Sequence, residues 1–455
     1  MNRLLALLIA LIILTPSALG ASPDADEAIT PLRRAFDNLY RSIQNVGGMD
    51  ETDKPAIRGL RERFTQFNQE NAGHRLGLSY ELQLALWLEE DDRVEALFAA
   101  LFEIEPTRDL GISWADYFLS REDYTRADLA YGRLLEAFPD DPQQRIEYAE
   151  KLQQRNLYAR ALEIMGRYEW DYKQYPDAAA ILSDCLFAQH QFEEAVATLE
   201  AIPAAEELPI EKRYIKQQAE TSLAEMRGYI EYWSVEQAIR AAEAEANDLP
   251  RAQIIVTGGG IIVLELFENE APNSVANFIK LAEEKFYHGS AFHRVIPNFM
   301  VQGGDPNTKP GASGVPGLGN PGYFIADEFN EPNARKHFAG SLSMAKSPLP
   351  NSAGCQFFLT HTPTSWLNGK HTVFGRVIEG LSVVRNIKQG DRIEAVMILR
   401  KRDHAYEPQT LPLSSGPQPI ELNTPVEGVV DIPPLPTSPP PGLPGGGPPT
   451  TPPGG

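Results

Sequence analysis

The sequence predicts a multidomain chain: an all-α solenoid of helical repeats, a closed antiparallel β-barrel with two capping helices, and a disordered tail rich in Pro and Gly. The chain has 455 residues, which is too long for one hydrophobic core. Apolar residues recur every three or four positions over residues 27–248, and short β-type runs follow. After Tyr406 the chain has too little apolar surface to fold. We expect a signal peptide at 1–20, the repeats at 22–248, the barrel at 251–403 and the tail at 404–455.

The N-terminus has the pattern of a secretory signal peptide. Arg3 gives a positive start, residues 4–14 are almost all apolar, and Ala18 and Gly20 suit a cleavage site after Gly20. The apolar stretch is shorter than a normal membrane span. We therefore expect an exported protein, periplasmic or secreted, with no membrane span after cleavage. An uncleaved anchor is the alternative. Because no Cys follows the cleavage site, a lipoprotein is not expected.

The net charge of −21 is concentrated in the front half of the chain. Residues 1–250 hold 25 Lys and Arg against 45 Asp and Glu, a balance of −20, whereas residues 251–403 hold 16 against 13, a balance of +3. Such acidity argues against nucleic acid or anionic lipid as a partner of the repeats. A solvated surface or a basic polypeptide partner remains open.

Other chemistries find little support in the sequence. Cys185 and Cys355 fall in different predicted domains, which favours two buried thiols over a disulfide framework. The eight His residues and two Cys residues have no zinc-site spacing. The Gly-rich loop 311–322 lacks the Gly-Lys-Ser/Thr ending of a phosphate loop, and the glycines at 258–260 precede a strand instead of a helix. We therefore expect neither a metal nor a cofactor.

A repeat of 34 residues underlies the helical region. Ala127, Ala161 and Ala195 are spaced by that interval, and each has aromatic or aliphatic residues at similar offsets. Small residues let neighbouring helices approach, while the larger ones fill the groove against the next pair. The pattern resembles the tetratricopeptide repeat over residues 75–205, which implies an unidentified protein partner. An unrelated helical bundle is the alternative.

The following region has the pattern of a β-barrel. Residues 252–257 and 261–267 are β-type runs around three glycines, a hairpin signal. Pro272 suits the first turn of a helix whose apolar face carries Val275, Phe278, Ile279 and Ala282. Many short strands with two helical stretches in one domain predict a closed barrel with helical plugs.

Four motifs in this region carry chemistry. They are Phe-His-Arg-Val-Ile-Pro-Asn-Phe-Met-Val-Gln-Gly-Gly-Asp at 292–305, Ser-Met-Ala at 343–345, Cys-Gln-Phe-Phe at 355–358 and Trp-Leu-Asn-Gly-Lys-His-Thr-Val-Phe-Gly at 366–375. Together, in this order, they resemble the cyclophilin family over essentially all of residues 251–402. The resemblance implies a peptidyl-prolyl cis/trans isomerase that acts on proline-containing polypeptides.

The resemblance also implies roles for individual residues. The catalytic set is Arg294, Gln302, Phe299 and His371. The substrate-binding set is Met300, Ala345, Lys346, Gln356, Phe358, Trp366 and Leu367. A guanidinium directed at the proline nitrogen would favour the twisted amide over the planar one, which is what catalysis requires. The apolar residues would form the pocket for the pyrrolidine ring.

The sequence departs from the family pattern at one loop. Lys346 and Ser347 stand where cyclophilins commonly have Asn and a small residue, and one extra residue precedes Gln356. The loop borders the substrate pocket, so the departure affects substrate preference. The leading hypothesis is an active isomerase that assists the folding of exported proteins. Its rivals are a weakly active module that binds proline-containing segments, and a solenoid whose isomerase is auxiliary.

Overall fold

The computed structural model describes residues 23–45 and 48–413. The predicted signal peptide and residues 414–455 of the predicted tail lie outside the described residues. The chain divides into two compact units, one ending at Gln144 and the other beginning at Arg145. Within the described part, none of the helices is long and apolar enough to cross a membrane.

The first unit is built from helices. They are α1 (Pro23–Asn45), α2 (Lys54–Glu70), α3 (Arg75–Leu88), α4 (Asp91–Ile104), α5 (Arg108–Ser120) and α6 (Tyr124–Ala137). Each helix packs against the next one along the chain. Side-chain caps begin three of them: His74 accepts the N–H of Gly77 before α3, and Thr107 and Asp123 cap α5 and α6 in the same way. The unit therefore has the sequential helix packing that a repeat array predicts.

The second unit continues the helical region. It contains α7 (Gln143–Gln153, which begins at the boundary), α8 (Tyr158–Gly166), α9 (Pro176–Ala188), α10 (Phe192–Glu200) and α11 (Arg213–Ala246). The three alanines of the predicted 34-residue spacing are fully buried, as close helix packing requires. After α10 the chain forms two 3₁₀ turns, and the 34-residue helix α11 follows them. The helical fold predicted for this region is confirmed.

A sheet domain, residues 251–413, completes the second unit. Its strands are β1 (Arg251–Val256), β2 (Gly260–Leu266), β3 (Arg294–Ile296), β4 (Met300–Gly303), β5 (Tyr323–Ile325), β6 (Ser341–Met344), β7 (Phe357–Thr360), β8 (Val373–Glu379), β9 (Ile393–Arg400) and β10 (Thr410–Pro412). Eight of them form one sheet in the order β3-β4-β7-β6-β8-β2-β1-β9, and β10 pairs with β5. All these pairs are antiparallel.

Two helices pack on the sheet, as predicted. They are α12 (Pro272–Glu283) and α13 (Leu381–Asn386). The four residues predicted to form the apolar face of α12 are all buried. Phe278 on that face lies 5.7 Å from the ring of Phe357 and 5.6 Å from the ring of Phe374. These contacts place the main core of the domain between α12 and the concave side of the sheet.

The prediction of a closed barrel is wrong, because the described strands form a curled sheet that stays open. The edge strands β3 and β9 do not pair with each other within the described residues. A single bridge joins Ala291 to Arg392 next to them, together with a 2.8 Å hydrogen bond from the Phe292 N–H to the Asp391 carbonyl. β3 has only three residues, and all three pair with β4. The chain just before β3 lies beside β9 instead, and the N–H of Ile393 donates to the Ser290 carbonyl over 2.8 Å.

The ordered domain also extends beyond its predicted end at residue 403. Tyr406 is buried, and its hydroxyl donates to Glu268 over 2.8 Å. Thr410 to Pro412 form β10 on the edge of β5. The first ten residues assigned to the tail, 404–413, therefore belong to the sheet domain. Cys185 and Cys355 are both buried and unpaired, as expected.

Candidate active site

Three neighbouring strands bring the main candidate residues side by side. Arg294 on β3 lies opposite Gln302 on β4, and Gln302 lies opposite Phe358 on β7. Residues that face each other across a ladder project to the same side of a sheet. The motif at 292–305 therefore supplies two adjacent strands of the site, and the motif at 355–358 supplies the third.

A cavity of about 420 Å³ opens over these strands. Ten of the eleven predicted site residues line it: Arg294, Phe299, Met300, Gln302, Ala345, Lys346, Phe358, Trp366, Leu367 and His371. Gln356 lines a neighbouring cavity of about 390 Å³, which shares Gln302, Gly317, Ala345 and Lys346 with the first. The structure thus brings the predicted residues together, while the role of each one stays a prediction.

Three lining residues were missed by the sequence analysis. They are His293, Pro316 and Gly317. His293 directly precedes Arg294, so its position in the motif could have indicated it. Pro316 and Gly317 belong to the Gly-rich loop, which the sequence analysis considered only as a phosphate-binding loop. The backbone N–H of Gly317 donates to the buried carboxylate of Asp305, and that contact holds the loop against the site.

The floor of the cavity is apolar. Phe299, Met300, Phe358 and Leu367 are each at most 5 % exposed and form one cluster. Trp366 packs at its edge, with its ring centroid 5.5 Å from that of Phe299. A pocket of this kind accepts a small apolar ring by removing it from water. The pyrrolidine ring of proline has this character.

The charged group at the pocket is Arg294. Its guanidinium carbon lies 6.0 Å from the ring centroid of Phe299, and the side chain is partly buried. Burial lowers the pKa of Arg294, because apolar surroundings disfavour the charged form. An arginine still keeps its charge at any working pH. A cation therefore lies beside an apolar pocket, where electrostatic interactions are stronger than in water.

A chain of amides orients Gln302. Its Nε2 donates to Oε1 of Gln356 over 3.0 Å. Nε2 of Gln356 in turn donates to the carbonyls of Gly317 and Gly319, each at 2.9 Å. Gln356 thereby links Gln302 to the Gly-rich loop. We infer that Gln356 positions Gln302 at the boundary of the two cavities.

His371 is held in one tautomer at the rim. Its Nδ1 lies 3.0 Å from the Met344 carbonyl, which can only accept, so Nδ1 carries the proton and Nε2 is the acceptor. Burial lowers the pKa of His371, so the neutral form prevails at pH 7. Nearby, the buried Nε1 of Trp366 has no hydrogen-bond partner among the residues described. The rim thus carries one indole donor that has no partner within the described residues.

The loop that begins at Lys346, where the sequence departs from the family pattern, is held by a buried ion pair. Nζ of Lys346 lies 2.8 Å from Oδ2 of Asp327, and both side chains are under 8 % exposed. The N–H of Asn351 donates to the same oxygen over 2.7 Å. The Lys346 charge is therefore neutralised inside the loop. Cys355 beside it is also unreactive, because burial raises the pKa of the thiol to about 12.

Comparison with known proteins agrees with this geometry. Residues 252–402 match the family model described as cyclophilin type peptidyl-prolyl cis-trans isomerase. Residues 120–202 match a model of tetratricopeptide-like repeats described as anaphase-promoting complex, cyclosome, subunit 3. Both resemblances expected from the sequence are thereby confirmed.

Individual relatives match the same part of the chain. A peptidyl-prolyl cis-trans isomerase of Synechococcus elongatus is 47% identical over 148 residues, which are 32% of this chain and 94% of the relative. Peptidyl-prolyl cis-trans isomerase B of Bacillus subtilis is 45% identical over 144 residues, with the same coverage. A crystal structure of a Cryptosporidium parvum cyclophilin type isomerase matches at 30% identity and a TM-score of 0.30, over 34% of this chain and 99% of that one. The chain belongs to the cyclophilin family of peptidyl-prolyl cis-trans isomerases.

Proposed function

We propose that this isomerase is exported, that it accelerates rotation of X–Pro bonds in exported polypeptides, and that its repeats recruit a protein partner. The observation that carries the catalytic part is the contact of the Arg294 guanidinium with an apolar floor sized for a proline ring. Export rests on the signal-peptide pattern of residues 1–20. Recruitment rests on the tetratricopeptide-like repeats, an architecture that commonly presents extended binding surfaces.

The proposed mechanism follows from the chemistry of the amide. Rotation about an X–Pro bond breaks amide resonance and faces a barrier of roughly 18–20 kcal/mol. In the twisted state the proline nitrogen regains a lone pair and accepts a hydrogen bond, which Arg294 donates. Because the planar amide offers no such lone pair, the interaction stabilises the transition state selectively. No covalent bond forms or breaks, so the reaction requires no nucleophile.

The other site residues hold the substrate. Phe299, Met300, Phe358 and Leu367 enclose the pyrrolidine ring. Gln302 and the backbone at Ala345 and Lys346 hydrogen-bond the polypeptide on either side of it. The Trp366 indole donates to a substrate carbonyl at the rim. These contacts orient the bond relative to Arg294, and such positioning is itself a source of rate enhancement.

A weakly active module that holds proline-containing segments is the second candidate. The observation that favours it is the altered loop, where the Lys346–Asp327 pair and the inserted residue reshape the border of the second cavity. Turnover separates the two candidates. A binding module would bind and release proline-containing segments without raising the rate of X–Pro isomerisation, whereas an enzyme would raise that rate.

The experiment expresses the full chain in a Gram-negative host, beside a variant lacking residues 22–144 and a Leu8→Arg variant, with Leu8→Ile as its matched control. Export predicts that the wild-type and Leu8→Ile proteins reach the periplasm with Ala21 as their first residue, while Leu8→Arg stays inside. Recruitment predicts that the deletion leaves turnover of a short peptide unchanged but slows refolding of an exported protein. Wild-type protein retained in the cytoplasm contradicts export, and equal refolding rates contradict recruitment by the repeats within residues 22–144.

A further inference from the structure

We propose that Asn156 and Tyr158, which lie in the repeat region, are positioning residues of the isomerase pocket and act through Asn298. The three residues all belong to the second compact unit. This inference rests on the pocket being the catalytic site. It extends the isomerase beyond the part of the chain that matches the family, because residues 156 and 158 lie well before residue 252.

The contact joins two tight turns. Asn156 precedes α8, and Asn298 lies in the turn between β3 and β4, with φ angles of 60° and 57°. The N–H of Asn298 donates to Oδ1 of Asn156 over 2.7 Å. The Tyr158 hydroxyl lies 2.8 Å from Oδ1 of Asn298. Both the backbone and the side chain of Asn298 are therefore bound by the repeat region.

Each partner of Asn298 is itself held in place. Nδ2 of Asn156 donates to the carbonyl of Arg385, on α13, over 2.9 Å. The guanidinium carbon of Arg385 lies 4.7 Å from the ring centroid of Tyr158. Tyr158 is 2 % exposed, and burial raises its pKa, so its hydroxyl stays protonated and available as a donor. We call the hydrogen bonds that Asn156 and Tyr158 make to Asn298 the clamp. It is partly buried, and hydrogen bonds shielded from water are costly to leave unmade.

The clamp acts one residue away from the pocket. Phe299, which follows Asn298, forms one wall of the apolar floor and lies beside Arg294 and Trp366. Asn adopts a left-handed φ more readily than most residues but at more cost than glycine, so contacts with its surroundings help the turn keep this shape. The hydrogen bonds from Asn156 and Tyr158 provide that support. Loosening them lets the Phe299 wall move.

Two further contacts support the same side of the pocket. Oγ of Ser365, next to Trp366, donates to Glu225 on α11. The Tyr229 hydroxyl, also on α11, donates to the carbonyl of His337 over 2.8 Å. The His337 ring lies 5.9 Å from the Phe358 ring and almost parallel to it. Three parts of the pocket are thus each bonded, directly or through one neighbour, to a residue of the repeat region.

The experiment measures KM and kcat of the full chain for a proline-containing peptide. Tyr158→Phe removes the hydroxyl alone, and Tyr172→Phe makes the same change at a residue that packs within the repeat core. We expect Tyr158→Phe to raise KM about threefold to tenfold with little change in kcat, because a loosened wall weakens binding of ground and transition states alike. Tyr172→Phe should leave both constants unchanged. A variant that merely unfolds would lower kcat at constant KM.

A second variant tests the route through Asn298. Asn298→Gly keeps the left-handed turn accessible while removing the acceptor of the Tyr158 hydroxyl, so it should raise KM by itself. Adding Tyr158→Phe to Asn298→Gly should then have no further effect. Additive effects, or unchanged KM in both single variants, overturn the proposal. If KM is unchanged while Arg294→Ala is inactive, the positioning role alone is wrong. If Arg294→Ala is fully active, the assignment of the pocket fails as well.

Discussion

Two regions of the second unit use arginine in opposite ways. In the pocket, burial lowers the pKa of Arg294. Between α11 and the sheet domain, Arg335 is 2 % exposed and carries a raised pKa. Burial acts to lower that pKa too, but hydrogen bonds and charges of Glu236 and Glu243 more than compensate. Burial thus lowers the pKa of one of these arginines, whereas the carboxylates around the other raise its pKa.

In the second region, carboxylates occupy the hydrogen-bond donors of Arg335. Arg335 donates to both oxygens of Glu236, at 2.7 and 2.9 Å, and to Glu243 at 2.5 Å. Arg376 donates to the other oxygen of Glu243 at 2.7 Å and to Glu265. A buried cluster of this kind tolerates desolvation only because its members are paired. These contacts indicate a structural role for Arg335, which fastens α11, whereas Arg294 lines the cavity that we propose binds the substrate.

The largest expected effect comes from breaking the buried cluster. Arg335→Met leaves Glu236 and Glu243 buried without their main partner, which should cost about 3–5 kcal/mol of unfolding free energy. Chemical denaturation measures it. The matched control is Arg227→Met, whose pair with Glu200 is 57% and 46% exposed and should contribute less than about 1 kcal/mol. Equal losses in the two variants would contradict the structural role.

A smaller effect concerns acid stability, and it depends on three buried histidines. Burial lowers the pKa of His190 and of His337 to about 3 and that of His361 to about 4. In the unfolded chain His titrates near ~6.5, so the unfolded state binds more protons between about pH 6.5 and 4. Stability is therefore full above that window and falls as the pH falls through it. Burial raises the pKa of Asp184 to about 6 and also raises the pKa of Glu150 and Glu270, which acts in the opposite direction. Burial lowers the pKa of His293 and His371 as well, which adds to the effect of the three histidines.

Thermal unfolding measured between pH 7.5 and 4.5 tests whether stability falls as the pH falls. We expect Tm to decrease steadily on acidification of the wild-type chain. His190→Gln should make the decrease shallower, whereas His404→Gln should not, because hydrogen bonds to Ala405 and Glu268 raise the pKa of this exposed histidine instead of lowering it. A Tm that rises on acidification would show that these histidines are not buried in their neutral form.

Most of the pocket could be predicted from the sequence because its residues lie in short contiguous motifs. Residues 292–305 alone contain two strands of the floor and the turn between them. Strand pairing then fixes which side chains meet, so Arg294, Gln302 and Phe358 follow from the register. Gln356 shows the limit of this reasoning. It faces the second cavity, and only its amide contacts reveal how it supports Gln302.

The support of the pocket by the repeats could not be predicted. Asn156 and Asn298 are 142 residues apart and belong to no common period, so no sequence pattern pairs them. The same holds for Arg335, which resembles a surface arginine until α11 is placed against it. The end of the domain was missed for a local reason. Tyr406 and β10 lie where Pro begins to dominate, and one aromatic residue and three extended residues give too weak a signal.

The most direct test of the central claim is the rate of peptide isomerisation by the purified full chain and its Arg294→Ala variant. By analogy with the loss of one transition-state donor, kcat/KM should fall by about 10²–10³. Arg227→Ala, at an exposed arginine, should keep the wild-type rate. The melting temperature of Arg294→Ala should stay near that of the wild type, in contrast to Arg335→Met. Equal kcat/KM for Arg294→Ala and the wild type would contradict the role given to the guanidinium.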